Sequence, residues 1–336
     1  MSSYRALIHS FPRDRRTASR WVRLASALAA SILGVGALAG TAAAASGTPV
    51  DASGNYAFQK LSNHKDTTFN QLLGINDSGE ITGYFGSGQT GHPNRGYALF
   101  PNYGQGNYKS ENFPGATQTQ VVGINNVAIT VGFGVDSKGN NFGFYAHHRQ
   151  HFQKVDFPTN SNAKPQVDQL LAVNDHNIAV GFYTDGKGVN HGYSYNITSH
   201  KYSQIKVSGD TNVTAAGINN LGDVAGFATN SSGGTEGFLT QSDGNVIRLN
   251  FPGASATQAF GVNNGDEVVG DYTVGSGSSA TMHGFTWAPG FGFQTVNDPN
   301  GVDATTLNGV NDRGEVVGFY TDSAGNTDGL LATPQS

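Results

Sequence analysis

One triplet, Gly or Ala followed by Ile or Val and then Asn, recurs six times along this chain. It stands at Gly74-Ile75-Asn76, Gly123-Ile124-Asn125, Ala172-Val173-Asn174, Gly217-Ile218-Asn219, Gly261-Val262-Asn263 and Gly309-Val310-Asn311, with spacings of 49, 49, 45, 44 and 48 residues. Periods of this length belong to propeller blades and similar arrays, in which one supersecondary unit is repeated. Seven residues after each Asn stands a second Gly (Gly83, Gly132, Gly181, Gly226, Gly270, Gly318). A third precedes an aromatic or Leu (Gly96, Gly143, Gly192, Gly237, Gly284, Gly329). Seventeen glycines in register restrict the fold to equal units stacked on one another.

The strands within a unit can be read from the first repeat. Gln71 to Ile75 is apolar on both faces, as a strand between two neighbouring sheets must be. Asn76-Asp77-Ser78-Gly79 has the Asn-first, Gly-last chemistry of a type I turn. Glu80 to Phe85 and Arg95 to Phe100 supply the second and third strands, and Tyr108 to Phe113 the fourth. Four short antiparallel strands per unit make a propeller blade. The last repeat stops after its third strand, and a spare strand, Tyr56 to Leu61, precedes the first. That strand can complete the last blade and remove the exposed edge. The expected fold is therefore all-β: a six-bladed β-propeller over residues 46–336, with repeats starting near 70, 119, 168, 213, 257 and 305. The ring is closed by the N-terminal strand, and helix is nearly absent.

Residues 1–45 read as an export signal. Six arginines and one aspartate precede the Ala/Leu-rich run Leu24 to Leu38, and Ala42 to Ser46 offers the small residues that signal peptidase needs. The run is short for a membrane span, so the mature chain is expected to have none and to be released outside the cell. The Arg15-Arg16 pair leaves twin-arginine export open beside the general route. Without residues 1–45 the chain keeps 13 basic and 23 acidic residues, a net charge of −10. A nucleic-acid partner would require a basic stripe, and none is visible. Zero Cys excludes disulfides, thiolate metal sites and a cysteine nucleophile.

The run Gly309-Val310-Asn311-Asp312-Arg313-Gly314-Glu315-Val316-Val317-Gly318, with His283-Gly284-Phe285 and His191-Gly192-Tyr193, resembles the probable extracellular repeats of the HAF family. The resemblance covers residues 70 to 333, although Arg95, Phe142, Glu236 and Asp328 stand where that pattern has His. It implies a bacterial exported protein of repeat architecture with no established catalytic activity.

In a propeller the fourth-to-first connections and the second-to-third loops share a face, and loops on a rigid scaffold carry specificity. The Gly-to-Gly span of the second-to-third loop is 11 residues in four repeats, but 13 in the first and 14 in the fifth. On this face Gln118, Gln120, Gln166, Asp168 and Gln258 offer hydrogen bonds, joined by Tyr183, His191, Tyr272, His283 and Tyr320. Amides for hydroxyls and aromatic faces for stacking suit a neutral polysaccharide or surface glycan. The competing reading makes these residues strand-end and blade-packing groups. The six triplet Asn residues are expected to be structural, since turn chemistry alone explains them.

His147, His148 and His151 have no acidic neighbour until Asp156, and each Asp-containing loop such as Asp136 to Asn140 offers a single carboxylate. No metal or cofactor is expected. No nucleophile elbow, metalloprotease helix or phosphate loop occurs, although Asp168 could converge with Asp185 or Asp271 as paired acids. The sequence thus predicts a monomeric glycan-binding module. A carbohydrate-active hydrolase or lyase is one alternative, and a scaffold or adhesion protein that binds a surface protein is another.

Overall fold

The computed structural model describes residues 49–158, 166–302 and 304–335; the export signal expected over 1–45 lies outside them. The described strands form six sheets, each with the inner strand of one repeat followed outward by its second, third and fourth strands. The inner strands are Asn70–Ile75, Gln118–Ile124, Asp168–Val173, Thr211–Ile218, Ala256–Val262 and Thr305–Val310. The chain is a six-bladed β-propeller. Among the described residues helix is confined to three single 3₁₀ turns, and no described helix is long and apolar enough to cross a membrane.

Closure follows the expected path. Tyr56–Lys60 pairs antiparallel with Thr327–Pro334, from Tyr56 opposite Pro334 to Lys60 opposite Leu330, and becomes the outer strand of blade 6. A further pairing was not legible in the sequence. Val50–Asp51 runs parallel to Gly292–Thr295 and adds a fifth strand to blade 5, so the N-terminal segment ties two blades together.

Two sets of glycines explain why the blades can converge. A Cβ on Gly123 would lie 2.8 Å from the Cα of Ala172, and one on Gly261 would lie 3.2 Å from the Cα of Gly309, because neighbouring inner strands touch there. Gly181 answers to a different constraint. Each inner strand carries an irregularity just before its triplet, such as the shift between Leu170 and Ala172. This leaves the Gln169 carbonyl oxygen 1.9 Å from where a Gly181 Cβ would stand.

The triplet asparagines do more than form turns. In blade 2, Asn125 Oδ1 accepts from the N–H groups of Val127 and Ile129, which is the expected turn chemistry. Its Nδ2 donates to the carbonyl of Asn174 in the next blade. The same inter-blade bond runs from Asn76 to Asn125, Asn174 to Asn219, Asn219 to Asn263, Asn263 to Asn311 and Asn311 to Asn76, at 2.9–3.2 Å. The residues that follow form a second closed circuit at 2.7–2.9 Å. In it the backbone N–H groups of Asp77, Asn126, Asp175, Asn220, Asn264 and Asp312 each donate to the side chain of the next residue, and Asp312 donates back to Asp77. Two closed rings of hydrogen bonds therefore fasten the blades at the face bearing the first-to-second turns.

Candidate functional site

The links that carry the chain from one blade's outer strand to the next blade's inner strand share a register. Leu61, Glu111, Ile205 and Val296 each donate a backbone N–H to the third-strand glycine of their own blade, and Val155 and Leu249 pair with the equivalent Gly143 and Gly237. Two residues later comes the same short turn, closed by N–H groups of Asp66, Ala116, Asp210, Ala254 and Gly301 on the carbonyls of Asn63, Phe113, Val207, Phe251 and Asp298. Asn63, Phe113, Phe157, Val207, Phe251 and Asp298 are thus equivalent positions. The fourth strand of blade 1 was expected to reach Phe113 but ends at Ser110. The chain leaves the sheet there so that Phe113 can lie against the following blade.

At this position an aromatic residue is a wedge. Phe113 packs on Phe142, Phe144 and Phe152, with ring centroids 4.8–5.8 Å apart. Phe157 stacks on Tyr183 at 4.6 Å and meets Tyr193 and Tyr202. Phe251 stacks on Tyr272 and meets Phe293 edge-on at 5.3 Å. Val207 closes the same space in blade 4 beside Phe238.

Blades 6 and 1 receive polar residues instead: Asp298 is buried and accepts from Asn300, whereas at Asn63 a recess of about 610 Å³ opens. A volume of this size accommodates a small ligand or a short stretch of a polymer. Its floor is aromatic: Tyr97 and Tyr108 meet edge-on at 4.9 Å, with Phe85 alongside. The Tyr108 hydroxyl is buried without a hydrogen-bond partner, and desolvation raises its pKa. One wall is the link, Asn63 to Asp66, and the other the lengthened second-to-third loop with His92 and Pro93. Asp66 is fully engaged, since Oδ1 accepts from the Thr68 N–H and hydroxyl and Oδ2 meets His92 Nδ1 at 2.9 Å. Burial works to raise its pKa, but these bonds outweigh it and hold the carboxyl below its usual range. His64 Nδ1 is fixed by Gln105 at 2.7 Å. Arg95 reaches the recess half-buried, and no described residue bonds or pairs with its guanidinium.

The residues picked out from the sequence have other places. Tyr183 is stacked between Phe157 and His191, and His191 Nε2 meets Asp185 at 3.0 Å, which holds that acid down to about 2. Tyr272 lies on Phe251 with its hydroxyl on Thr295, and His283 contacts its ring and bonds Thr281. Tyr320 is 2% exposed. Asp168 accepts from the Tyr193 hydroxyl and the Phe157 N–H, and desolvation pushes its pKa up to about 7 against those bonds. Gln118 Oε1 caps the Asn94 N–H, while the Gln166 backbone N–H donates to Asn140 Oδ1 and its carbonyl accepts from the Asn141 N–H. Gln120 is buried and Gln258 half-buried on inner strands. Two Tyr–His pairs are brought together, each within its own blade, and none of these ten residues lines the recess. His147, His148 and His151 do not converge, and no cluster of three potential metal ligands occurs among the described residues.

Two sequence signals pointed to the recess. The first-repeat loop is long, and Arg95 departs from the His of the repeat pattern. A third, the loss of the aromatic wedge at Asn63, becomes visible only once the links are aligned by their hydrogen bonds.

No protein-family model matches this chain, and no curated protein is similar in sequence. Solved structures share its fold. TolB from Acinetobacter baumannii aligns at a TM-score of 0.52 and 10% identity over 76% of this chain, which spans only 64% of TolB. AofleA from Arthrobotrys oligospora aligns at 0.50 and 10% identity, covering 84% of this chain and 90% of its own. A fungal lectin from Aleuria aurantia, described as a six-bladed β-propeller with a novel fucose recognition mode, aligns at 0.45 and 7% identity over 79% of this chain and 91% of its own. Likeness at such identities bears on the fold alone.

Proposed function

We propose that this chain is an exported, monomeric glycan-binding β-propeller whose binding site is the blade 1 recess. The observation that carries the reading is the exchange of an aromatic wedge for Asn63, which leaves an aromatic floor beneath unpartnered polar groups. Ring faces of sugars stack on aromatic side chains, and their hydroxyls bond to amides, imidazoles and phenols of the kind gathered here. The arginine-rich, then Ala/Leu-rich N-terminus supports export. A hydrolytic or lyase role for the acids singled out earlier is less well supported. Asp168, Asp185 and Asp271 each bond a different partner (Tyr193, His191 and Thr306) rather than facing one another.

The test is a panel of neutral and acidic polysaccharides offered to the purified chain and to Asn63→Phe, which restores the wedge. Binding should fall at least about tenfold in Asn63→Phe, with thermal stability kept or raised because the added ring covers apolar surface on the recess floor. Tyr183→Ala should keep its affinity, since that ring belongs to blade packing. Binding that survives Asn63→Phe moves the site elsewhere, and a blank panel refutes the reading. New reducing ends in the supernatant would make the protein an enzyme.

A further inference from the structure

We infer that the recess is built for an acidic sugar, with Arg95 receiving its carboxylate or sulfate. This rests on the glycan-binding reading and narrows it, in place of the neutral ligand expected from the sequence. The reasoning begins with two equivalent positions in every blade: the residue before the third-strand glycine, and the outer-strand residue opposite the position just after that glycine. In blade 4 these are Glu236 and Arg248, which pair directly, with Asp210 of the link as a second partner. In blade 6 they are Asp328 and Lys60, paired at 2.6 Å with the carboxylate wholly buried. In blade 2 they are Phe142 and Lys154, whose ammonium lies 4.9 Å from the ring centroid. Wherever one of these three blades places a cation here, the chain supplies a carboxylate or a ring face.

Blade 1 breaks this rule. Its third-strand residue is itself the cation, Arg95, and the outer-strand residue opposite Tyr97 is Ser110, which cannot neutralise it. The link acid equivalent to Asp210 is Asp66, already committed to Thr68 and His92. Lys65, His64 and His92 line the same recess, where Asp66 is the sole carboxylate among the described residues. A positive recess on a chain of net charge −5 is a local reversal of sign, and such a reversal concentrates anions. A guanidinium presents a planar fork that takes a carboxylate or sulfate through two parallel bonds. Tyr108, whose hydroxyl has no partner, lines the same recess.

The proposal is tested by calorimetric titration of the purified chain with four galactose-based oligosaccharides: oligogalacturonate, its methyl ester, a sulfated galactan oligomer and the uncharged galactan oligomer. Oligogalacturonate or the sulfated oligomer should bind, and whichever is tighter identifies the anion. Methyl esterification should abolish binding of the uronate, and raising salt from about 50 to about 300 mM should weaken the charged ligand several-fold. Arg95→Ala should lose about 10- to 100-fold in affinity, the worth of a charge-assisted hydrogen bond, and Arg95→Lys should recover part of it. Because Arg95 has no partner among the described residues, Arg95→Ala should unfold at the wild-type temperature, which separates lost binding from lost fold. Equal binding of charged and uncharged oligomers, unchanged in Arg95→Ala, overturns the inference and leaves the glycan reading standing. No binding of these four or of any panel glycan removes both.

Discussion

The two hydrogen-bond rings allow burial to be separated from bond count. Asn125 is 3% exposed and its side chain makes three hydrogen bonds, two within its turn and one to the next blade. Asn126, its neighbour, also makes three: its Oδ1 accepts the Asp77 N–H, and its Nδ2 donates to the carboxylates of Asp77 and Asp175. Asn126 is exposed, so water replaces what it loses. At about 1 kcal/mol net per buried bond, Asn125→Ala should cost about 3 kcal/mol, because the Ile129 N–H is left dry without a partner and the Asn174 carbonyl keeps only the Asn177 N–H. Asn126→Ala should cost less than about 1 kcal/mol. Urea unfolding followed by the fluorescence of Trp287, which packs against the blade 5 core, measures both. Equal costs for the two variants, or a loss under about 1 kcal/mol for Asn125→Ala, would refute the claim that the inner ring holds the blades together.

Two further perturbations test the packing. Asp271 is wholly buried with one hydrogen bond, from Thr306, and desolvation raises its pKa from 3.8 to about 7. A carboxyl whose folded pKa is raised contributes stability fully present below its unfolded value and lost as pH climbs to the folded one. At roughly 1.4 kcal/mol per pH unit that loss reaches about 4 kcal/mol between pH 4 and 7. Asp271→Asn should therefore gain on wild type across that window and hold its gain above it. Parallel stability profiles from pH 4 to 8 would show that the acid is not buried as described. Gly181→Ala should destabilise by about 3 kcal/mol or more, since its Cβ would strike the Gln169 carbonyl, whereas Gly188→Ala, in an open turn at φ +81°, should cost only about 1–2 kcal/mol. Equal losses in urea unfolding would count against the close approach of the strands.

The periodic part of the fold could be read from the sequence because its causes are local. Glycine recurs where backbones touch, Asn-x-x-Gly turns the chain, and an unmatched N-terminal strand faces an incomplete last repeat. The Asn ring was half legible. Turn chemistry explained Asn76 and its counterparts, but an amide has a donor as well as an acceptor. Where that donor goes depends on the neighbouring blade, which no local pattern specifies. The parallel pairing of Val50–Asp51 with blade 5 was hidden for the same reason, being a contact between segments more than 240 residues apart in sequence.

The recess was harder to read, and the reason lies in how repeats divide their labour. Residues chosen because they recur, such as Tyr183, Tyr272 and Tyr320 or the polar entries to the inner strands, do what every blade must do. They pack against the incoming link and cap strand ends. A unique ligand site has to appear where the period fails. Here the failures coincide on one blade: Asn63 for a wedge, Arg95 for His or an acid, Ser110 for the outer-strand cation of blades 2, 4 and 6, and two extra residues in the second-to-third span. Arg95 and the longer span can be seen in the sequence, but Asn63 and Ser110 stay invisible until hydrogen-bond register shows which residues are equivalent. Together they remove the plug, reverse the charge and lengthen the wall of a single recess. Other blades show single departures, such as Asp298 for the wedge in blade 6 and the still longer span of blade 5, but blade 1 joins its departures to a cation with no partner among the described residues, and that combination is what argues for a ligand.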